Sequence, residues 1–411
     1  MQSSVLGPEE AFPPTLDAAR ARIAAVQPTD YARSRNALNG AVSRLSPYIT
    51  HGVVCMADVL AGVNARHPLD VQHKFVFELG WRAYFRHIWQ HRGAEILQSL
   101  HGGPLPEACY ASRLPNDIRH AATGVPVIDK AVRTLYATGY LHNHARMWLA
   151  SYVVHLRKVH WRVGADWLYS HLLDGDLASN HLSWQWVAGT SSHKPYLFNA
   201  DNVARFAPPA WHSPGSVIDL SYEALDQLAR QPHGVGQGAN FAPHTALERL
   251  EPPVSGTLPA EWGWTAPDGR AVAGRDVWLV HPWNLGALPA SLPAGTVVVG
   301  LFLENFHQAW PWSGRRWEFV ATRMADMVAL RWQGDAAAIA AALQGARSVG
   351  SIDEPHMSPW LPSLARCEAY PALFPSVDTR CDAFSQWWKR AVKGFDLAAD
   401  LLAASLAPAR A

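Results

Sequence analysis

The sequence predicts a multidomain protein in which an all-helical part precedes an α/β part. Two observations carry this prediction. Residues from about 15 to 207 are rich in leucine, alanine, arginine, tryptophan and histidine at helical spacings, with few glycines. From about residue 271, short apolar runs alternate with amphipathic segments, as in a parallel sheet covered by helices. We therefore expect a helical domain followed by a Rossmann-like α/β domain.

Composition indicates a globular protein without a membrane span. The 411 residues suffice for two or three domains with substantial cores. We find no run of about 18 apolar residues, and the opening MQSSVLGPEEAFPP has no apolar core of a secretory signal. Four scattered cysteines suit reduced thiols, so a cytoplasmic location is expected.

Charge is unevenly distributed although the net charge is only +1. Residues 1–210 hold 20 Lys+Arg and 15 Asp+Glu, and the remainder holds 15 and 19, which gives the totals of 35 and 34 for the whole chain. A modestly basic first half permits a partner with a phosphate backbone but does not require one.

The elements follow in chain order. Residues 128–159 show helical periodicity, with a break expected at Thr138 and Gly139. The following Pro-Pro, His-Ser-Pro-Gly and Glu-Pro-Pro sequences predict a linker or irregular region. The expected domains are 1–207, 208–270 and 271–411. In the last domain we expect buried parallel strands at 276–280 and 295–303 and helices at 315–332 and 335–344. The strands lack a GxGxxG dinucleotide motif.

Acidic, amide and aromatic residues meet in LLDGDLASNHLSWQW, residues 172–186. Asp174 and Asp176 are two apart and cannot share a helix face, so they suit the turn before a helix, where Asp176 could be the N-cap. Asn180 and Trp184 share a face, whereas Trp186 points elsewhere. Packing explains this segment as well as a binding site does.

Three further segments combine polar and aromatic side chains. In FELGWRAYFRHIWQH, Glu78, Trp81 and Arg82 share a helical face, which a local ion pair beside a core indole also explains. In YLHNHARMW, Asn143 and Met147 share a face; the two nearby histidines have no carboxylate or cysteine at ligand spacing, so no metal site is expected. The segment VSRLSPYITHG suits either an anion site or plain N-capping at a helix start.

Taken together and in this order, the segments resemble the FAD-binding half of the photolyase/cryptochrome family. SRLSPYITHG is similar to its TSRLSPYL segment, FELGWRAYFRH to ELxWREFYRH, TGYLHNHARM to TGWMHNRLRM, and DGDLASNHLSWQW to DGDLAANNGGWQW. The resemblance covers roughly residues 28–200. It implies a photolyase-type FAD-binding fold.

The resemblance also implies cofactor contacts. Ser43, Arg44, Leu45 and Ser46 would hold the diphosphate with Tyr31 nearby. Arg146 would pair with Asp174, Asp176 would hold the polar edge of the folded cofactor, and Asn180 would face flavin N5, where an amide can donate or accept a hydrogen bond. The full cofactor-binding set is Tyr31, Ser43, Arg44, Leu45, Ser46, Glu78, Arg82, Asn143, Arg146, Asp174, Asp176, Asn180 and Trp184.

Electron transfer and catalysis follow from the same resemblance. Trp184 and Trp161 would be the first and second donors of the photoreduction chain, with Tyr110 at the third position in place of tryptophan. Glu78, Trp81, Asn143, Met147 and Trp186 match the residues that surround a cyclobutane pyrimidine dimer, with Asn180 completing the catalytic set. Asparagine and methionine stand where (6-4) repair needs histidines, which argues against that reaction.

The function implied is light-driven repair of pyrimidine dimers in single- or double-stranded DNA. The alternative is a cryptochrome-like blue-light photoreceptor that binds FAD and signals through an unidentified protein partner. His144 stands where an arginine usually reaches the DNA backbone. The α/β part is similar to the family's antenna domain, which usually comes first, so we expect a circular permutation. The family's usual antenna-chromophore residues cannot be placed in this sequence, so a second, antenna chromophore stays an open alternative.

Overall fold

The computed structural model describes residues 11–192, 194–234 and 249–406, which divide into two compact units. The α/β unit comprises the described residues of 11–28, 43–84 and 254–406. The helical unit comprises those of 29–42 and 85–253. These units do not follow the sequence order of the predicted domains 1–207, 208–270 and 271–411, which remain a proposal.

The α-helices are α1 Leu16–Ala25, α2 Pro28–Ser34, α3 Ser46–Thr50, α4 Met56–Asn64, α5 Lys74–Arg92, α6 Asn116–Arg119, α7 Pro126–Thr138, α8 Asn143–Ser151, α9 Trp161–His171, α10 Leu177–Ala188, α11 Ala200–Phe206, α12 Tyr222–Ala229, α13 Glu304–Ala309, α14 Gly314–Met327, α15 Ala336–Leu343, α16 Leu361–Leu364, α17 Phe384–Ala391 and α18 Ala398–Leu406. Helix α5 crosses from the α/β unit to the helical unit after Tyr84.

Helices α7 to α10 form the core of the helical unit. Their buried apolar side chains include Val132, Leu149, Leu168 and Trp184. The predicted break is confirmed: α7 ends at Thr138, and Gly139 follows with φ +68°. A side chain at Gly139 would meet Leu173 Cγ at 2.7 Å, so glycine allows both the left-handed turn and close packing.

The α/β unit contains a parallel sheet. The strands of the described chain are β1 Val254–Ser255, β2 Asp276–Val280, β3 Val297–Leu303, β4 Trp312–Ser313, β5 Leu330–Gly334, β6 Ser348–Ile352 and β7 Arg366–Glu368. The sheet has the order β5-β3-β2-β6-β7, with Val277 opposite Val297 and Val349. In order along the chain this is the 3-2-1-4-5 pattern of a Rossmann-like fold, as predicted.

The predicted helix at 315–332 was too long. Helix α14 ends at Met327, Val328 is extended, and Leu330–Gly334 forms strand β5 beside β3. An amphipathic run cannot by itself mark where a helix ends, because the half-buried Leu330 and the buried Trp332 fit either period. The other predicted helix, 335–344, is present as α15, with Asp335 as its N-cap.

Side chains occupy the crevice at the carboxyl ends of β2 and β6, where Rossmann-like sheets usually hold ligands. His281 follows β2, and its Nε2 lies 2.9 Å from the carbonyl oxygen of Ile352 at the end of β6. Trp283 stacks on His356 with ring centroids 4.4 Å apart, and His356 Nδ1 lies 2.6 Å from Glu354 Oε1. These side chains are buried, so this crevice is part of the core.

In the portion of the chain described, no helix combines the length and apolar character needed to cross a bilayer.

Candidate functional site

The acidic turn before α10 positions the middle of the helical unit. Asp176 is the N-cap of α10, and its Oδ1 accepts a hydrogen bond from Ser179 N at 2.8 Å. The predicted capping role is therefore present. The helix ends at Gly189, whose φ of +76° makes it a left-handed C-cap. These two signals fix α10, and with it the directions in which Asn180, Trp184 and Trp186 point.

Arg146 and Asp174 form the ion pair that the resemblance implies. Arg146 Nη2 donates to both carboxylate oxygens, at 2.9 and 2.8 Å, and its Nε donates to the carbonyl oxygen of Leu141 at 2.7 Å. The Asp174 side chain is only 4% exposed. Charge-assisted hydrogen bonds to this buried carboxylate hold the end of α7 and the start of α8 against the acidic turn that precedes α10. The role of the pair toward a flavin stays a prediction.

Among the residues that the structure describes, the side-chain amide of Asn180 makes a hydrogen bond through its nitrogen but not through its oxygen. The residue is 9% exposed, and its Nδ2 donates to the carbonyl oxygen of Ala165 at 2.8 Å. That acceptor fixes the orientation of the amide, because a carbonyl could not hydrogen-bond to Oδ1. Within the described residues no donor reaches Oδ1. A nearly buried acceptor left open in this way fits a ligand that presents an N–H group.

Trp184 is buried against helix α9. A side chain at Gly164 would overlap Trp184 Cη2 and Cζ3, so the indole lies directly over this glycine. Gly164 follows Trp161 by one turn of α9, which places the two predicted electron donors on neighbouring helices. Both indoles are nearly inaccessible to water. The role of the two indoles as electron donors stays a prediction.

Tyr110 lies beside this pair. Its ring centroid is 6.4 Å from that of His160, which in turn is 5.7 Å from that of Trp161. Both Tyr110 and Trp161 line one surface pocket. Burial raises the pKa of the Tyr110 hydroxyl. The predicted third donor is therefore near the second, and its role remains a prediction.

Trp186 is on the surface of the helical unit. It is 43% exposed, and its ring centroid lies 5.5 Å from that of Tyr196 at an angle of 33°. An indole supported on one side by a second ring can stack a flat group on its other side. On α8, Asn143 Nδ2 lies 3.7 Å from Met147 Sδ, so these two side chains share a face as predicted.

His144, which stands where an arginine usually reaches the DNA backbone, faces the interior. Its Nδ1 lies 2.8 Å from the carbonyl oxygen of Asn36, and its Nε2 lies 3.3 Å from the hydroxyl of Tyr196. Burial lowers the pKa of this imidazole. A neutral, inward-facing histidine supports the Tyr196 ring beneath Trp186 and leaves any phosphate contact to other residues.

The remaining predicted residues of α5 belong to the α/β unit. Glu78 Oε1 pairs with Lys74 Nζ at 3.0 Å, and Arg82 donates to the hydroxyl of Thr50. Trp81 stacks on Phe384 of α17 with ring centroids 4.0 Å apart and an angle of 10°. One face of this indole is thus covered by the C-terminal part of the chain, which the sequence did not predict.

The predicted phosphate-binding residues are split between the units. Ser43, Arg44, Leu45 and Ser46 lie in the α/β unit at the start of α3, and Tyr31 lies in α2 of the helical unit. Leu45 is the N-cap of α3, and no side chain caps that helix. Plain N-capping by a serine is therefore not what this segment provides. Arg44 has φ +51°, a left-handed conformation that is uncommon for a side chain larger than glycine.

Sequence reasoning missed several residues around this site. Ala165 contributes only a carbonyl, Ser99 and Phe384 meet Trp161 and Trp81 across long sequence separations, and Glu107 contacts Ser99. Only Gly164 carried a usable signal, since a glycine inside a helix points to a close approach by a neighbour.

Comparison with known proteins finds a match over the part of the chain that holds α5 to α11. Residues 75–210 match the family model described as the FAD binding domain of DNA photolyase. This part of the chain is similar to the FAD-binding part of photolyases and cryptochromes. The photolyase match is to an FAD-binding domain, so FAD is the cofactor assigned to the chain.

The similarity to individual known proteins extends over only part of each chain. A deoxyribodipyrimidine photo-lyase of Streptomyces griseus is 34% identical over 176 residues, which is 40% of this chain and 36% of that protein. A cryptochrome DASH of Ostreococcus tauri is 29% identical over 228 residues, 54% of this chain and 40% of that protein. A crystal structure of a Synechocystis cryptochrome shares 26% identity over 53% of this chain and 51% of that one, with a TM-score of 0.43. The chain thus spans less than half the length of these two sequence relatives.

Proposed function

We propose that the protein is a light-driven lyase that repairs cyclobutane pyrimidine dimers in DNA with reduced FAD. The observation that carries this proposal is the exposed Trp186, held on Tyr196 on the surface of the unit that contains Asn180 and Trp184. A photoreduction path alone needs no exposed stacking platform. Nucleic-acid enzymes that act on unstacked bases do.

FAD, when bound, supplies an electron from its excited reduced state. The chain's own residues prepare the site for this. Asn180 Oδ1 is open to accept a hydrogen bond from an N–H group, and reduced flavin carries one at N5, whereas the oxidised form does not. Because the carbonyl oxygen of Ala165 accepts from Nδ2, Oδ1 is the end of the amide that faces the ligand, and the side chain favours reduced over oxidised flavin. The Arg146–Asp174 pair keeps the neighbouring backbone in place.

Trp184 and Trp161 serve the restoration of reduced flavin by passing electrons inward, with Tyr110 in reach of the second. On the substrate side, Trp186 stacks an extruded base, and Asn143 and Met147 provide a polar and an apolar contact. We assign Glu78 and Trp81 to the substrate side as well. The residues that hold the cofactor in this proposal are Arg82, Tyr31, Asp176 and the segment of Ser43, Arg44, Leu45 and Ser46.

One observation favours the alternative, a blue-light photoreceptor without repair activity. Phe384 stacks on Trp81 at 4.0 Å, in a nearly parallel arrangement that a base would otherwise adopt. In a photoreceptor this contact stays closed. In a repair enzyme, the other face of the indole serves the lesion or Phe384 withdraws.

Illumination of the reduced protein with an oligonucleotide that contains one thymine dimer separates the two functions. The lyase restores thymine absorbance on single- or double-stranded DNA, and Trp186→Ala loses this activity. Leu220→Ala, at a residue of similar exposure (40%) in the same unit, is the matched control. A wild-type protein that binds FAD and is photoreduced but restores no thymine on either substrate contradicts repair and supports the photoreceptor.

A further inference from the structure

We propose that Ser99 and Glu107 form a proton relay that removes the indole proton of Trp161 after this side chain has been oxidised. The inference rests on the proposed function, in which the photoexcited oxidised flavin is the one-electron oxidant of the tryptophan path. The resemblance to known proteins gives Trp161 a place in electron transfer. It assigns no acceptor for its proton.

The three residues make a continuous hydrogen-bonded path from the interior of the helical unit to its surface. The Nε1–H group of buried Trp161 donates to Ser99 Oγ at 3.0 Å. Ser99 Oγ donates in turn to Glu107 Oε1 at 2.7 Å. The Glu107 side chain is 69% exposed, so the last group of the path exchanges protons freely with water.

The charge at the end of the path suits a proton acceptor. The hydrogen bond from Ser99 lowers the pKa of the Glu107 carboxyl, and His160, whose Nε2 lies 3.7 Å from Oε1, adds to this effect. Glu107 is therefore a carboxylate at neutral pH and faces Ser99 with a full negative charge. Ser99 is held between a donor and an acceptor, which orients its single proton toward the carboxylate.

The proton and the electron leave in opposite directions. Loss of one electron to the flavin leaves an indole cation radical, whose N–H group is strongly acidic. The Nε1–H bond breaks and its proton passes to Ser99 Oγ, while the hydroxyl proton of Ser99 passes to Glu107. The products are a neutral Trp161 radical, a protonated Glu107 and a flavin reduced by one electron. Because the positive charge has left the indole, return of the electron slows.

The proton relay distinguishes Trp161 from Tyr110. A phenol also has to lose its proton when it is oxidised. Among the described residues, the Tyr110 hydroxyl interacts with the backbone of Leu105, and no carboxylate or imidazole hydrogen-bonds to it. Trp161 has a relay that ends in a base. We therefore place the lasting radical on Trp161.

Flash spectroscopy of the FAD-loaded protein tests the relay, because protonated and neutral tryptophan radicals absorb differently. In the wild type the cation band should convert to the neutral band, more slowly in D₂O than in H₂O. In Glu107→Gln and Ser99→Ala the cation should persist until the electron returns, with a several-fold lower yield of lasting radical. The matched control is Glu95→Gln, since Glu95 is 64% exposed in the same unit.

A second measurement needs no light. The indole N–H resonance of Trp161, identified by its loss in Trp161→Phe, should exchange with solvent faster in Ser99→Ala, and Ser99→Thr should restore slow exchange. Conversion of the cation at the wild-type rate in Glu107→Gln and Ser99→Ala overturns the relay alone. A protein that binds FAD yet forms no tryptophan radical on illumination overturns the photoreduction path and the relay together.

Discussion

Trp161 and Trp184 of the helical unit are nearly as buried as the core tryptophans of the α/β unit but differ from them in their polar surroundings. Trp161 donates its indole proton to a serine, and Trp184 lies over a glycine of the neighbouring helix. In the α/β unit, Trp283, Trp312 and Trp332 are fully buried, and their indole nitrogens have no hydrogen-bond partner among the described residues. We propose that the first set carries electrons and protons, whereas the second set fills a core. A count of 19 tryptophans therefore says little about function.

The largest expected effect separates these two sets by photochemistry. Trp184→Phe should lose nearly all photoreduction of bound FAD, because the proposed first donor is gone, while the smaller ring leaves a cavity that costs less than the roughly 3–5 kcal/mol of full truncation to alanine. Steady illumination with an external electron donor, followed by absorbance, measures the rate. Trp283→Phe is the control in the α/β unit and should reduce FAD at the wild-type rate; a slow control would contradict the contrast.

For the free energy of unfolding, we expect the larger loss from a core tryptophan of the α/β unit. Trp312→Ala removes a fully buried indole that packs against Trp283 and Trp317 at centroid distances of 5.7 and 4.9 Å. Truncation of a buried tryptophan costs about 3–5 kcal/mol. Urea unfolding measures this loss. The exposed Trp186 should cost far less on the same change, and equal losses at the two positions would contradict the assignment of Trp312 to a core.

Acid should destabilise the helical unit through His155. Burial lowers the pKa of this imidazole to about 4, while the unfolded chain has a pKa near 6.5. The unfolded state therefore takes up a proton first, and stability falls as pH drops from about 6.5 to 4. At about 1.4 kcal/mol per pH unit the loss reaches about 3 kcal/mol. Urea unfolding over this pH range measures the loss of unfolding free energy, and His155→Gln should make that loss smaller. An equally steep decline in the variant would assign the effect to other groups.

Gly164→Ala tests the contact between α9 and Trp184. The added methyl group would overlap the indole, and overpacking of this kind costs about 1–3 kcal/mol. The displaced ring should also lower the photoreduction rate. Gly102→Ala in the same unit is the control, since nothing lies within 4 Å of a methyl group there. Photoreduction at the wild-type rate in Gly164→Ala would mean that Trp184 does not depend on this contact.

The smallest effect is expected from the crevice of the α/β unit. Its own buried Trp283 and His356 occupy the place where a second chromophore would be sought. The absorbance of the purified protein above the protein band should therefore be that of FAD alone. Removal of FAD by mild denaturation should leave a colourless chain. Residual colour would show that another pigment binds to the protein.

Local signals predicted much of this fold. The Gly139 break, the Asp176 cap and the two central strands follow from conformational preference and apolar periodicity, which act within a few residues. Contacts between distant segments could not be read in this way. Phe384 meets Trp81 from a segment far along the chain, and nothing near either residue indicates the other.

The site shows the same limit. The Arg146–Asp174 pair was expected, because both residues match a family pattern, and the structure contains it. The inward position of His144 was not expected, because a histidine in an exposed-looking helix start gives no sign that Asn36 and Tyr196 will accept and hold it. Side-chain types can be predicted from a motif. The neighbours that decide their protonation and direction depend on tertiary packing.

A reductive titration of bound FAD in the wild type and in Asn180→Asp tests the central claim most directly. If the open oxygen of residue 180 lies at flavin N5, a carboxylate in its place should disfavour the reduced, negatively charged flavin and lower the reduction potential. Asn199→Asp, at a buried N-cap of the same unit, is the control and should leave the potential unchanged. The same potential in the wild type and in Asn180→Asp would remove residue 180 from the cofactor and contradict the account.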